Sequence, residues 1–200
     1  MLWSILICTL ESRKELFDKL HSHLLKQIND NNFKDVEILY FSDNKDYPVG
    51  IKRNTLIDQA NGDYVSFIDD DDEVSDNYVK LIHDAIQDRE VDCVGIKGLL
   101  VSEILGTKEF IHSLKYTSYF EDWNYYYRPP NHLNPIKKEK IQDIRFPYTN
   151  CGEDTNWAMQ VCGSGVLKEE TFINEILYYY NFEYATSETQ TRRGAKKNVK

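Results

Sequence analysis

Four consecutive aspartates, Asp69, Asp70, Asp71 and Asp72, stand directly after an apolar segment at residues 64–68. Like charges a few ångströms apart repel one another and raise one another's pKa, so this acidic run should have a positive partner. Divalent cations such as Mg²⁺ and Mn²⁺ accept carboxylate oxygens and keep coordination positions open for phosphate oxygens. A solvated turn leading into a helix N-terminus, where aspartate is favoured, explains the same residues without a ligand. The run alone is compatible with both interpretations.

The elements around the acidic run alternate between strand and helix. An unbroken apolar stretch at residues 2–9 is typical of a central strand covered on both faces. Residues 36–41, 64–68 and 93–101 are predicted as further strands. The alternation predicts an α/β fold with a mostly parallel central sheet and helices on both faces. In such sheets ligands bind beyond the carboxyl ends of the strands, where Thr9, Asp43 and Asp69 fall.

Helix signals lie between these strands. Ser12 and Glu15 have the spacing of a capping box, and Ser75 or Asp76 can cap a later helix. Apolar residues at helical spacing predict the buried stripes of these two helices. The predicted stripes are Leu16, Leu20, Leu24 and Ile28 in the first helix, and Tyr78, Ile82, Ala85 and Ile86 in the later one. Residues 50–60 are predicted as a short basic helix or loop, 153–161 as a helix, and 171–182 as a last extended element.

Composition limits the classes of function. With 200 residues we expect one domain, 1–200, and a net charge of -9 argues against non-specific binding to nucleic acid. The four cysteines lack the spacing of a zinc site, and a disulfide framework is not expected. We find no basic leader and no stretch long enough to span a bilayer, so a cytoplasmic location is the expectation, with peripheral membrane contact left open.

The order of polar segments resembles the family 2 glycosyltransferases of the GT-A fold. The matching segments are residues 9–13 after the first strand, 42–44 after the second, 50–54 with Arg53 and Asn54, the acidic run, and 151–154 with Glu153 and Asp154. This resemblance implies a Rossmann-like GT-A domain with a smaller mixed C-terminal part. It also implies a nucleotide-sugar-binding half at 1–100, an acceptor-binding half at 101–185 and a basic, flexible tail at 186–200.

The resemblance also implies roles for donor-binding residues. Thr9, Glu11 and Asp43 would hold the nucleobase and ribose. Arg13 and either Lys52 or Arg53 would neutralise the diphosphate or orient the base. Asp69 and Asp70 would face the ribose or the sugar. Ordinary solvation of loops and helix surfaces is the competing explanation for each of these side chains.

A divalent metal, Mn²⁺ or Mg²⁺, is implied as the cofactor, with Asp71 as its main ligand. His132 could supply a second ligand, since a neutral imidazole is chemically suitable, or it could fix a turn or touch the acceptor. Asp72 would cap the element that follows. Asp154 would be the general base toward the acceptor hydroxyl, although a helix-capping role is also open.

The implied activity is inverting transfer from a nucleotide-diphosphate sugar, with a UDP-sugar favoured, to a hydroxyl of a glycan or another acceptor. Two rivals remain: a nucleotidyltransferase, for which we find no Gly-rich phosphate loop, and a non-catalytic domain that binds nucleotide sugars. Cys8 and Asn44 depart from the family's usual residues, which leaves the choice of base open.

Overall fold

The computed structural model describes residues 1–102 and 106–181. The predicted tail at 186–200 therefore lies outside the described residues. The predicted fold class is confirmed: helices surround a central sheet whose middle strands are parallel. The strands of the described residues are β1 (Trp3–Leu10), β2 (Val36–Asp43), β3 (Tyr64–Phe67), β4 (Glu73–Val74), β5 (Cys93–Ser102), β6 (Gly106–His112), β7 (Phe120–Glu121), β8 (Tyr125–Arg128), β9 (Ile136–Lys137) and β10 (Glu170–Asn181).

Strand β1 is central, as its continuous apolar sequence predicted. It pairs in parallel with β2 on one side and β3 on the other, so that Trp3 lies opposite both Val36 and Tyr64. Because β1, β2 and β3 run in the same direction, their carboxyl ends meet at one edge of the sheet. This edge places the residues that follow each strand close together.

The rest of the sheet is mixed. The short β9 joins β3 to β5 with antiparallel pairing, and β5 forms an antiparallel pair with β6. Strand β10 runs parallel to β5 and antiparallel to β4, which follows the acidic run. The β10–β4 pairing therefore brings the last described strand beside the predicted ligand edge.

Five α-helices complete the described part of the chain. They are α1 (Lys14–Asp30), α2 (Val49–Gln59), α3 (Tyr78–Ile86), α4 (Lys138–Ile141) and α5 (Glu153–Ser164). Helices α1 and α3 contribute Leu24 and Ile82 to one apolar cluster, whereas α2 and α5 contribute Leu56 and Trp157 to another. Successive residues of β1 point to opposite faces and enter both clusters, so helices cover the sheet on both sides.

Both predicted helix caps are wrong. A 3-10 turn occupies Glu11–Arg13, so α1 begins at Lys14 and Ser12 caps nothing. Helix α3 begins at Tyr78 after Asn77, whose side chain makes no capping bond; the Val79 N–H donates instead to Gln27 Oε1 of α1 at 2.9 Å.

The predicted buried stripes are largely confirmed. In α1, Leu20, Leu24 and Ile28 are buried, but Leu16 is 45% exposed and lies on the wall of a cavity. In α3, the positions predicted to be buried face the core, with Ala85 partly buried. Within the described residues, no helix is long and apolar enough to cross a membrane.

Candidate active site

A cavity of about 1130 Å³ opens at the carboxyl edge of the parallel strands. All four aspartates of the acidic run line it. Three further predicted donor-binding residues, Thr9, Arg13 and Lys52, also line it. Further parts of its wall come from α1, β4, the segment after β2, and the ends of β5 and β10. The volume is slightly above the range of about 300–1,000 Å³ that is usual for ligand sites in proteins.

Asp70 is held tightly inside the cavity wall. Its carboxylate accepts a hydrogen bond from the Thr9 hydroxyl at 2.7 Å and one from Arg13 Nη1 at 2.8 Å. Its side chain is only 3% exposed, whereas that of Arg13 is 39% exposed. Both carboxylate oxygens of Asp70 therefore have a protein donor, and Arg13 presents a partly open cation to the cavity.

Asp71 is the most open carboxylate of the acidic run. Its side chain is 46% exposed, and its Oδ2 lies 3.2 Å from Arg13 Nη1. Partial burial raises the pKa of Asp71, and the charge of Asp69 raises it further, more than Arg13 lowers it. A raised pKa marks negative charge that the surrounding side chains do not fully compensate. A cation at this position would offset that charge.

Asp69 lies between two other basic groups. Arg53 Nη2 donates a hydrogen bond to its Oδ1 at 3.0 Å, and His132 Nε2 lies 3.4 Å from its Oδ2. Desolvation alone would raise the pKa of Asp69, but Arg53 and His132 hold it below its ordinary value. Asp69 is therefore an anion whose charge is already balanced from within the fold.

Asp72 does not cap a helix, contrary to the prediction. It is buried, and its two oxygens accept hydrogen bonds from the Tyr178 hydroxyl at 2.7 Å and the Asn181 backbone N–H at 2.9 Å. The Tyr178 hydroxyl also accepts a bond from the Asp69 backbone N–H at 3.1 Å. These three contacts fix the acidic run against the end of β10.

Lys52, in the cavity wall, forms a buried ion pair with Asp43, which lies behind it. Lys52 Nζ lies 2.7 Å from Asp43 Oδ1 and donates a second bond to the Thr9 carbonyl at 2.8 Å. The second Asp43 oxygen accepts the Tyr47 backbone N–H at 2.9 Å. Burial would raise the pKa of Asp43, but Lys52 and the Tyr47 N–H hold it below its ordinary value. The pair ties the ends of β1 and β2 to α2.

Helix α5 begins at the predicted Glu-Asp pair. Gly152 precedes it with φ of 74°, a left-handed conformation that favours glycine. Glu153 is buried, with its Oε1 3.4 Å from Arg53 Nη1, while Asp154 is half-buried in the first turn. Burial raises the pKa of Glu153, and Arg53 offsets part of this effect. The helix start thus carries one internally paired carboxylate and one partly open carboxylate.

The predicted site residues divide into three groups. Within residues 1–102 and 106–181, the cavity lining includes Thr9, Arg13, Lys52, Asp69, Asp70 and Asp71. A second group, Asp43, Arg53 and His132, lies behind these residues and contacts them directly. The third group is Glu11, exposed on the 3-10 turn, and Asp154, at the start of α5; neither belongs to the lining.

No role was predicted for Tyr178 or Asn181, which fix the acidic run. Their only signal was the tyrosine-rich extended element after residue 171. Tyr47 and Asn150, which also line the cavity, were missed as well, because they lie in irregular segments without a motif.

The residues present partly fit the implied divalent metal. Among the described residues, no group of three or more His, Cys, Asp or Glu side chains is arranged to hold an ion. Mg²⁺ sites in nucleotide enzymes often use only one or two carboxylates, with phosphate oxygens and water completing the shell. Asp71, open to the cavity and with uncompensated charge, suits that arrangement. His132 is buried against Asp69, so its role as a second ligand stays a prediction.

The fold and the site define a Rossmann-like α/β domain with a carboxylate-rich cavity at the ends of its parallel strands. The profile of the family described as Glycosyl transferase family 2 matches residues 18–161. The chain belongs to this family. The match includes the acidic run and Asp154, while Thr9, Glu11 and Arg13 precede it. No curated protein matches the sequence.

Solved structures support the same fold. The structure of S. aureus TarS 1-349 in complex with UDP-GlcNAc is similar with a TM-score of 0.62 and 16% identity, covering 91% of this chain and 59% of that chain. The complex of TarS 1-349 with UDP gives a TM-score of 0.62 and 16% identity, covering 92% and 61%. This chain thus spans about three fifths of those TarS chains. At such identity the likeness shows the fold alone.

Proposed function

We propose that this chain is an inverting, metal-dependent glycosyltransferase that moves a sugar from a UDP-sugar to a hydroxyl of a glycan or another acceptor. The main observation behind the proposal is the cavity in which Asp71 lies open beside Arg13, in a chain of glycosyltransferase family 2. The choice of UDP is supported by the similar TarS folds that were solved with UDP and UDP-GlcNAc.

Arg13 and Lys52 are the cations of the cavity wall that we assign to the donor. Arg13 is partly exposed and can turn from Asp70 and Asp71 toward a diphosphate. Lys52 is buried against Asp43, so its charge stays fixed at the ends of β1 and β2 and requires no reorganisation when a ligand enters. The two residues therefore combine one mobile and one fixed positive charge.

Asp71 would hold Mn²⁺ or Mg²⁺ together with the donor diphosphate. When bound, the cation stabilises the negative charge that develops on the leaving diphosphate. Arg13, which lies 3.2 Å from Asp71, would move aside or share the diphosphate oxygens. Asp70 would keep Arg13 within reach through its bond at 2.8 Å.

Asp154 would act as the general base. It lies half-buried in the first turn of α5, and its carboxylate can accept a proton from an acceptor hydroxyl. As the acceptor hydroxyl loses its proton to Asp154, its oxygen forms the new bond to the anomeric carbon and the bond to the diphosphate breaks. Attack from the side opposite the leaving group inverts the anomeric configuration.

A binding screen followed by a transfer assay tests the proposal. Thermal shifts with nucleotide sugars, with and without Mn²⁺, identify the donor, because a bound ligand stabilises the folded state. Release of UDP with glycan acceptors then measures transfer. Asp154→Asn should lower turnover about 1000-fold and leave the thermal shift by the donor intact. Asp143→Asn, an exposed aspartate before α5, is the matched control and should change neither quantity.

Other outcomes identify the rivals. A donor-specific thermal shift without turnover would show a non-catalytic binding domain. Products that contain a sugar phosphate would show nucleotidyl chemistry. Unchanged turnover in Asp154→Asn would remove Asp154 from the role of base.

A further inference from the structure

Arg53 is one of the most enclosed cations of the described chain. It lies on α2, is 4% exposed, and its guanidinium carbon lies 5.4 Å from the ring centres of both Phe67 and Phe146. The two ring centres are 5.8 Å apart, so both rings lie on one side of the guanidinium, and their close packing restricts its rotation. Arg53 is therefore a rigid group that does not reorient toward a ligand.

The two ends of this guanidinium contact different parts of the fold. Nη2 donates to Asp69 Oδ1 at 3.0 Å, and Nη1 lies 3.4 Å from Glu153 Oε1. Asp69 follows β3 and lines the cavity, while Glu153 is the first residue of α5. Burial would lower the pKa of Arg53, but Asp69 and Glu153 raise it above its ordinary value, so the guanidinium is charged.

Arg53 stands behind the cavity. Within the described ranges, neither Arg53 nor Glu153 belongs to the cavity lining, although the adjacent Lys52 does. This position does not suit direct contact with a diphosphate, which was one of the roles predicted for Arg53. It suits a connection between the cavity wall and the helix start that carries Asp154.

We propose that Arg53 is a positioning residue that, through Asp69 and Glu153, sets the distance between the donor cavity and Asp154. The proposal rests on the proposed function, since it assumes transfer with Asp154 as the base. If the proposal is right, donor binding does not need Arg53. The chemical step does need it, because Arg53 places the start of α5.

Arg53→Lys tests the proposal because a lysine keeps the charge but cannot contact Asp69 and Glu153 from one rigid plane. We expect kcat to fall about 100-fold, as displacement of a catalytic group by an ångström can cause. The Kd for UDP with Mn²⁺ should change less than about threefold. Glu153→Gln should give the same pattern with a smaller loss of kcat. The double variant should lose less than the product of the single losses, because both residues act through one contact.

Arg145→Lys is the matched control. Arg145 also connects α2 to the segment before α5, through a pair with Asp58 at 2.7 Å, but this pair is exposed and away from the cavity. It should leave kcat and UDP affinity unchanged. An equal loss in Arg145→Lys would show that any weakening of this region has the same effect and would overturn the specific role of Arg53.

Hydrogen–deuterium exchange gives a readout that does not depend on transfer. Amides in the first turn of α5 should exchange about tenfold faster in Arg53→Lys, whereas those of α3 should not change. If no donor or acceptor supports turnover of the unmodified protein, the proposed function fails and the exchange result still decides the role of Arg53. If UDP affinity falls in proportion to kcat/KM, or if exchange is unchanged, the proposal is wrong. Should Arg53→Lys fail to fold, Glu153→Gln provides the same measurements.

Discussion

Replacing Tyr178 by phenylalanine removes a single hydroxyl from the interior of this protein. Tyr178 is fully buried, and that hydroxyl donates to Asp72 at 2.7 Å and accepts from the Asp69 N–H at 3.1 Å. Asp72 would keep only its bond from the Asn181 N–H. The variant therefore leaves one buried carboxylate oxygen and one backbone N–H without their partner.

The magnitude follows from these two losses. A hydrogen bond to a charged group contributes about 1.5–3 kcal/mol, and an unsatisfied buried donor costs about 1–3 kcal/mol. Burial and the neighbouring Asp69 raise the pKa of Asp72 well above its ordinary value, so uptake of a proton can relieve part of the cost. We therefore expect Tyr178→Phe to lower the free energy of unfolding by about 3 kcal/mol. In a domain of this size that corresponds to a fall in Tm of about 6–12 °C.

Urea and thermal unfolding followed by circular dichroism measure the change. Tyr179→Phe is the control, because it removes a hydroxyl from the next residue of β10, which is only half-buried. It should lower the free energy of unfolding by less than about 0.5 kcal/mol. A Tm of Tyr178→Phe within about 1 °C of the unmodified protein, or an equal loss in both variants, would refute the role of these bonds.

Two further predictions concern the metal and the pH dependence of stability. Asp71→Asn should weaken the binding of UDP in the presence of Mn²⁺ at least ~10-fold, as measured by calorimetry, and leave the affinity without metal unchanged. If the variant and the unmodified protein bind UDP equally well with Mn²⁺, Asp71 is not a ligand of the metal. Burial would raise the pKa of Asp92, but the Lys168 N–H and Lys140 hold it below its ordinary value. Its stabilisation is thus present above the unfolded-state pKa of about 3.9 and is lost as pH falls through the lower folded-state pKa. Asp92→Asn should lower stability at pH 7 and flatten the acid decline measured by urea unfolding; an unchanged decline would contradict this assignment.

Local patterns predicted much of the first half of the chain. The apolar run at the N-terminus gave the central strand, and the predicted helix after it exists with Leu20, Leu24 and Ile28 buried. The details at the helix start were wrong, because a 3-10 turn uses Ser12 and shifts the start of α1 to Lys14. Strands β6 to β9 were not predicted, since strands of two to seven residues leave little periodicity.

The candidate site was predicted only as a set of residue types. The order of strands predicted Thr9, Asp43 and Asp69 at one edge of the sheet. The structure places Thr9 and Asp69 in the cavity wall and Asp43 behind it, paired with Lys52. Which of them stay open could not be predicted, because burial depends on partners from distant parts of the chain. Arg53 illustrates this point, since it packs against Phe67 and Phe146 and contacts Glu153.

Sequence patterns predicted the α/β order, the edge at which the parallel strands end, and the concentration of aspartates there. The different contacts and exposure of the four aspartates follow from the tertiary structure. Asp72 became an internal anchor because the last strand returns Tyr178 and Asn181 to it, and Asp69 became a balanced anion because Arg53 and His132 enclose it. Asp71 alone of the four kept an exposed carboxylate, because its only ion-pair partner among the described residues is the half-exposed Arg13. Four identical side chains acquire different properties because their charge and solvent contact are set by residues far away in sequence.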